Sequence, residues 1–217
     1  MAVSYSGIGT YDDCPSKFKR KYITKEKCGP GPTRESAPQM FRGTDMHNSV
    51  EDLINDKRND LLKGMEAYTQ FCISLRTKGA KAELPFAFNK AWELVDFEDE
   101  EAEVRGFLDC IVADQQLIVY EWKSGKIYDS HVTQRHLYGL AALLMYPDYK
   151  TVRVISTYFD LMHNNENTYH RDMLKTYMWM WERKINKTKP PQPYPMRPSW
   201  KCKNCQFSKR QGGLCPN

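Results

Sequence analysis

The 217-residue sequence has no apolar run long enough to cross a bilayer. Its longest, residues 137–146, is half of the roughly 20 residues a spanning helix requires. The opening residues, MAVSYSGIGTYDDC, lack the charged start and apolar stretch of a secretory leader, so a reducing, cytoplasmic setting and no membrane are expected. There is no internal repeat and no low-complexity segment. No G-x-x-x-x-G-K-[ST] phosphate loop occurs, which excludes a self-contained ATP-driven motor. Acidic residues are absent from residues 183–217, where nine Lys or Arg fall. The whole chain carries a net charge of +5, so the remainder is mildly acidic. A basic tail on an acidic body suits a polyanionic partner, nucleic acid first; a solvated basic surface is the plainer alternative.

What is present fits an ordinary folded chain: 41% hydrophobic and 27% charged residues, enough for one core. Seven cysteines occur, Cys14, Cys28, Cys72, Cys110, Cys202, Cys205 and Cys215. In a reducing compartment an odd, uneven set with a C-x-x-C reads as metal or cluster ligands plus buried thiols, not as disulfides. The spacing predicts a helix over residues 40–63 and another over 65–75. Strands are expected at 83–89, where Pro85 demands an edge or a strand start, and at 91–97. Residues 96–103 hold six acids and should be exposed. Residues 103–113 (EVRGFLDCIVA) and 117–123 (LIVYEWK) read as a hairpin turning at Asp114-Gln115-Gln116. A helix capped by Asp129 or Ser130 runs to Met145 and stops before Pro147. A strand at 151–160, a helix at 171–187 and a stiff linker at 190–198 (PPQPYPMRP) follow, while residues 28–38 form a Gly/Pro loop. The order predicts an α/β fold, a small mixed sheet flanked by helices.

The hairpin carries the chemistry. A turn centred on Gln115 sets Asp109 opposite Glu121, with Lys123 on the same face as Glu121 and Trp122 on the other. Like charges directly opposed destabilise a sheet, and folding alone asks for no such pair in apolar strands. A hard divalent ion, Mg2+ or Mn2+, resolves the conflict. Lys123 can then hold a water or neutralise phosphate charge. The rival reading is a solvated Asp/Glu/Lys cluster. Gly43-x-x-x-His47 and Gln134-x-x-x-Tyr138 add side chains at helical spacing. Cys202, Cys205 and Cys215, with Cys14 far upstream, can supply four thiolates to Zn2+ or to an iron–sulfur cluster.

The ordered set G-x-x-x-H, G-x-x-D, E-x-K and Q-x-x-x-Y resembles the RecB-type branch of the PD-(D/E)XK nuclease superfamily. The cysteines resemble the iron–sulfur staple of CRISPR-associated RecB-like exonucleases. That resemblance implies a restriction-endonuclease-like core at about 39–188 in a single nuclease domain, with a cluster-binding subregion from 1–30 and 190–217. It implies a Mg2+- or Mn2+-dependent deoxyribonuclease, exonucleolytic by family habit, acting on DNA ends including single strands. Asp109, Glu121 and Lys123 would be catalytic, with Glu83 as an auxiliary acid. His47, Asp109, Glu121 and the Trp122 carbonyl would hold the ion. Cys14, Cys202, Cys205 and Cys215 would hold a 4Fe-4S cluster, with Zn2+ as the alternative and Cys28 as a rival fourth ligand. The gap between Cys205 and Cys215 is wider than the family's. Gln134, Tyr138, Lys17 and Arg20 would contact DNA. A basic rim of Lys17, Lys19, Arg20 and Lys21 with Lys201, Lys203, Lys209 and Arg210, and base stacking by Trp200 or Phe207, belong to the same picture; core packing is the other use of the two rings. Partners would be DNA and a recombination, replication or CRISPR adaptation complex. The alternative function is a non-catalytic nucleic-acid-binding module with a zinc- or cluster-stabilised tail.

Overall fold

The computed structural model describes residues 1–29, 33–190 and 193–216. Residues 30–32 of the expected Gly/Pro loop and 191–192 of the expected linker lie outside the described residues. The helices are α1 (Tyr5–Asp13), α2 (Pro15–Phe18), α3 (Pro38–Ile54), α4 (Thr69–Thr77), α5 (Ser130–Met145) and α6 (Leu174–Thr188). The strands are β1 (Lys81–Phe88), β2 (Val104–Ala113), β3 (Leu117–Lys123), β4 (Thr151–Tyr158) and β5 (His163–His170). Two compact units result. The first comprises Met1–Ala2 and Gln39–Trp181, the second Val3–Pro38 and Glu182–Asn217.

In the first unit the strands form one mixed sheet in sequential order, β1 to β5. All neighbours are antiparallel except β3 and β4, which run parallel. A parallel pair needs a crossover, and α5 supplies it, packing on β3, β4 and β5. Strand alternation divides the side chains. Cys110, Val112, Tyr120, Trp122 and Ile155 join Met46, Val50, Leu53 and Ile54 of α3 and Cys72 and Leu75 of α4 in one buried cluster. The sheet therefore has helices on both faces, the mixed α/β architecture the sequence predicts.

Several elements differ from expectation, each for a local reason. The helix expected to reach residue 63 ends at Ile54. Asp56 adopts a left-handed φ of 60°, and Lys57 N donates to Asp52 O at 2.7 Å, a Schellman-type stop. No strand forms at 91–97. There the Asn89 Oδ1 accepts from Ala91 N and Glu93 N, folding a turn, and only the isolated Phe88–Leu94 bridge remains. Asp129 does not cap α5 with its side chain; its backbone is already helical. β5 (HNNENTYH) shows no hydrophobic alternation, because it is an edge strand burying only Tyr169; backbone pairing along all of β4 holds it. Pro85 does sit in the edge strand β1.

The second unit joins both ends of the chain. Ser4 caps α1 by accepting from Gly7 N at 3.1 Å. Phe18 is fully buried and packs against Tyr11, Tyr22 and Tyr194. Ser16 N donates to Pro195 O at 3.2 Å, Arg197 Nη1 to Asp12 O at 2.6 Å, and Lys201 Nζ pairs with Asp13 at 2.7 Å. No helix among the described residues is long and apolar enough to span a membrane.

Gly139 marks where α5 lies closest to the sheet. A Cβ there would fall 2.3 Å from the Tyr169 ring. Gly139→Ala should therefore destabilise the chain by about 1–2 kcal/mol, the clash outweighing the roughly 1 kcal/mol gained in helix propensity. Chemical denaturation would show a lower midpoint with an unchanged slope.

Candidate active site

The β2–β3 register pairs Cys110 with Tyr120 and Ile111 with Val119, as a turn centred on Gln115 requires. One step further along, Asp109 faces Glu121. Likewise β1 pairs Ala82 with Cys110 and Leu84 with Leu108, so Glu83 faces Asp109. Three carboxylates thus lie in one row across three strands. Glu83 has a φ of 47°, a left-handed conformation that a non-glycine residue adopts only when its surroundings impose it. The backbone anchors Asp109, whose Oδ2 accepts from Trp122 N at 2.8 Å.

Two helices complete the cluster. From α3, His47 Nε2 lies 2.8 Å from the Trp122 carbonyl. A carbonyl only accepts, so Nε2 carries hydrogen, and Nδ1 faces Asp109 Oδ2 at 3.4 Å and Glu83 Oε1 at 4.0 Å. The carbonyl expected to bind metal is thus the one that accepts from the histidine. From α5, Gln134 Nε2 donates to Glu121 Oε1 at 2.7 Å and to the Tyr138 hydroxyl at 3.0 Å. Lys123 Nζ donates to Glu121 Oε1 and, at 2.7 Å, to Gln134 Oε1. Gln134 and Tyr138, expected on DNA, are buried and occupied with the site's own charges. The i,i+4 spacing marked their shared face; their target was invisible without the position of Lys123. The role of Glu83 had a faint signal, since Pro85 fixed an edge strand beside β2, but its backbone strain leaves no trace in sequence.

Burial grades the site from solvent inward. The side chains of His47 and Glu83 are 31% and 33% exposed, Asp109 8% and Glu121 2%. Burial, then the Glu121 charge, hold the Asp109 carboxyl well above its usual range, against the pull of His47, the Trp122 N–H and Lys123. Burial alone would lower His47; Asp109, the Glu83 hydrogen bond and Glu121 overcome it and raise the imidazole to about 9. Burial and the same two carboxylates push the Tyr138 phenol well up. Protons and an imidazolium thus offset a surplus of negative charge.

The donor set fits a divalent cation. Ligand atoms of His47, Glu83 and Asp109 lie within 4.8 Å of one another. Glu121 Oε2 is buried with no hydrogen-bond partner, although a buried carboxylate oxygen ordinarily requires one. Oxygen donors with one imidazole suit Mg2+ or Mn2+.

The remaining predicted residues lie in the second unit. Cys14, Cys202, Cys205, Cys215 and Lys17 line one cavity. Cys28 is exposed and is not in its lining. Arg20 pairs with Glu26. The wide gap before Cys215 is folded back on itself: Gly212 takes a φ of 80°, a Cβ on Gly213 would meet Phe207 backbone at 2.3 Å, and Cys215 N donates to Phe207 O at 2.7 Å. Phe207 is core, the second of the two uses offered for these rings, whereas Trp200 is 74% exposed. Cys72 and Cys110 are buried in the first unit, where burial pushes the Cys72 thiol up to about 12.

A strand-borne Asp, a Glu-x-Lys on the next strand and a helix across the parallel step define a metal-dependent phosphodiesterase scaffold. The chain belongs to the PD-(D/E)XK nuclease superfamily, whose model matches residues 2–210. The family uses divalent metals. Among solved structures, the chain is similar to SSO0001 at 16% identity and a TM-score of 0.51, over 99% of this chain and 86% of that one. It is also similar to a candidate exonuclease from Eubacterium rectale at 12% identity and a TM-score of 0.51, over 100% and 89%. At these identities the likeness is one of fold. Comparison with curated proteins found no match.

Near the site, His131 gives a pH signature. Its Nδ1 lies in hydrogen-bond contact with the Tyr158 hydroxyl at 2.7 Å, and burial, with the charges of Lys123 and Arg135, lowers its pKa to about 4. The unfolded chain, with a value near 6.5, takes up that proton first, so stability falls as pH drops below about 6.5 and the loss levels off near 4. His131→Gln, which keeps an acceptor and cannot charge, should remove this part of the acid sensitivity in melting curves from pH 7 to 4.

Proposed function

We propose that the protein is a Mg2+- or Mn2+-dependent DNA nuclease of the RecB-type branch, an exonuclease acting on DNA ends. The observation that carries this reading is the buried, partnerless Glu121 Oε2 beside Asp109 and Lys123, in a chain whose family hydrolyses phosphodiesters. His47, Glu83, Asp109 and Glu121 would hold the ion. Once bound, the ion supplies Lewis-acid polarisation of the scissile phosphate and lowers the pKa of bound water.

The chain's own residues do the rest. Lys123, fixed by Glu121 and Gln134, presents its ammonium to the attacking water or to charge developing on a phosphate oxygen. Water adds to phosphorus and gives up a proton as the bond to the leaving deoxyribose oxygen breaks, and that oxygen takes up a proton from solvent. Gln134 and Tyr138 hold Glu121 and Lys123 in register from α5. His47, hydrogen-bonded to the Trp122 carbonyl, keeps Nδ1 aimed at the acids, as second partners of metal-binding histidines do. The exonuclease-like fold of the Eubacterium rectale protein agrees with action at ends, and the basic segments with a DNA partner, inside a recombination, replication or CRISPR adaptation complex.

The second unit would hold a 4Fe-4S cluster on Cys14, Cys202, Cys205 and Cys215. All four line one cavity. Among the described residues, no three of their sulfurs lie within 4.8 Å of one another. The group's role is structural, closing a loop over most of the chain.

End-labelled single- and double-stranded DNA should be shortened with Mg2+ or Mn2+, and Lys123→Ala or Asp109→Ala should lower the rate by at least about 100-fold. Full activity in either variant would end the proposal. Mn2+ should raise the melting temperature of the wild type but not of Asp109→Asn. That variant should melt no lower than wild type without metal, because it removes a buried carboxyl whose ionisation burial and the Glu121 charge oppose. Metal analysis should find iron in the purified protein; zinc in its place would remove the cluster and leave the nuclease reading intact.

A further inference from the structure

The second unit contains a cleft that the chemistry above leaves unused. Its volume is about 590 Å3, within the range of roughly 300–1,000 Å3 typical of small-molecule sites. Trp200, Lys203, Lys209 and Arg210 line it, with Pro198 and Pro216 at its edges. Trp200 is the most exposed of the five tryptophans, at 74%. An indole so exposed forfeits the transfer energy of its burial, so its position asks for a partner. The three cations form no ion pair among the described residues, in contrast to Lys201, which is paired with Asp13 at 2.7 Å. No acid occurs in residues 183–217 to neutralise them.

The local backbone builds this arrangement. Ser199 Oγ accepts from Lys201 N at 3.3 Å, and Ser199 N donates to Cys202 Sγ at 3.3 Å. These bonds fix the short helical turn Trp200–Asn204. A second short turn, Lys209–Gln211, is tied to it where Gln211 Nε2 donates to Lys203 O at 3.2 Å. One flat aromatic face and three unpaired cations are thereby held around one concavity.

We propose that this cleft is a binding subsite for single-stranded DNA, with a base stacked on Trp200 and backbone phosphates on Lys203, Lys209 and Arg210. Stacking on one indole demands an unpaired base, because a base inside a duplex already has both faces covered. Cations that track phosphates without hydrogen-bonding base edges bind without sequence preference. The inference rests on the nuclease reading for its choice of polymer and names the form of DNA that reading would use. Cys202 lines both this cleft and the four-cysteine cavity. The turn that presents Trp200 is therefore the turn that the thiol-bound group would brace.

The test uses the full-length, metal-loaded protein carrying Lys123→Ala to prevent cleavage, with a fluorescein-labelled 20-mer of thymidylate as probe and anisotropy as readout. Trp200→Ala should weaken binding on the order of tenfold or more, and Trp200→Phe should restore most of it. Replacing Lys203, Lys209 and Arg210 by Gln should reduce the slope of log affinity against log salt by about 2, at roughly 0.7 per phosphate contact on a single strand. Each variant should still be stabilised by Mn2+, showing an intact fold. Unchanged affinity in Trp200→Ala together with an unchanged salt slope in the triple variant would overturn the proposal. So would equal affinity for a blunt duplex of the same sequence. Neither result touches the nuclease reading, which stands or falls on cleavage of labelled DNA by the wild type.

Discussion

Two buried carboxylates that cannot comfortably both ionise set the terms for everything around them. Asp109 and Glu121 face each other because the β2–β3 hairpin fixes their register, and the apolar strands carrying them bury both. In so dry a site the repulsion is far stronger than at a surface. The chain answers with cations and donors from every side: His47 of α3, Lys123 of β3, Gln134 of α5 and the Trp122 N–H. They come from three elements, α3, β3 and α5. The mixed sheet with its parallel β3–β4 step and crossover helix is the frame that lets those elements converge.

The same arrangement explains what remains unsatisfied. One Glu121 oxygen is engaged by Lys123 and Gln134, and the other has no partner. Glu83 occupies a left-handed backbone conformation within a strand. Strain and an orphaned polar atom lower stability wherever they occur, and they gather where binding a ligand offsets them. Here both lie in one row of acids, next to an imidazole whose Nδ1 faces that row.

Much of this was legible in residues 106–123. The alternation of FLDCIV and LIVYEWK with a three-residue turn determined both which face each acid occupies and which acids meet. Cap and proline-stop signals also found α5, and β-branched residues found β4. Periodicity failed where the physics is not periodic. β5 is polar because it is an edge strand whose side chains, Tyr169 apart, are exposed or half-buried, so only its pairing with β4 reveals it. α3 stops at Ile54 because Asp56 turns left-handed, a backbone event that the apolar pattern of Leu61 and Leu62 masks. Residue type left Trp200 between core and base stacking, and the short turn that Ser199 caps holds it in solvent. Cysteine spacing pointed to both ends of the chain; the fold-back at Gly212 and Gly213, which brings Cys215 alongside Ser208, could be seen only in three dimensions.

The central claim is that Asp109 and Glu121 share one hard divalent ion. Equilibrium titration with Mn2+, counting free ion by its electron paramagnetic resonance signal, measures this without reference to any substrate. Wild-type protein should take up one or two ions at the site, and Glu121→Gln should bind them more weakly by at least the roughly tenfold that even an outer-shell partner contributes. Equal Mn2+ affinity in the two proteins would contradict it.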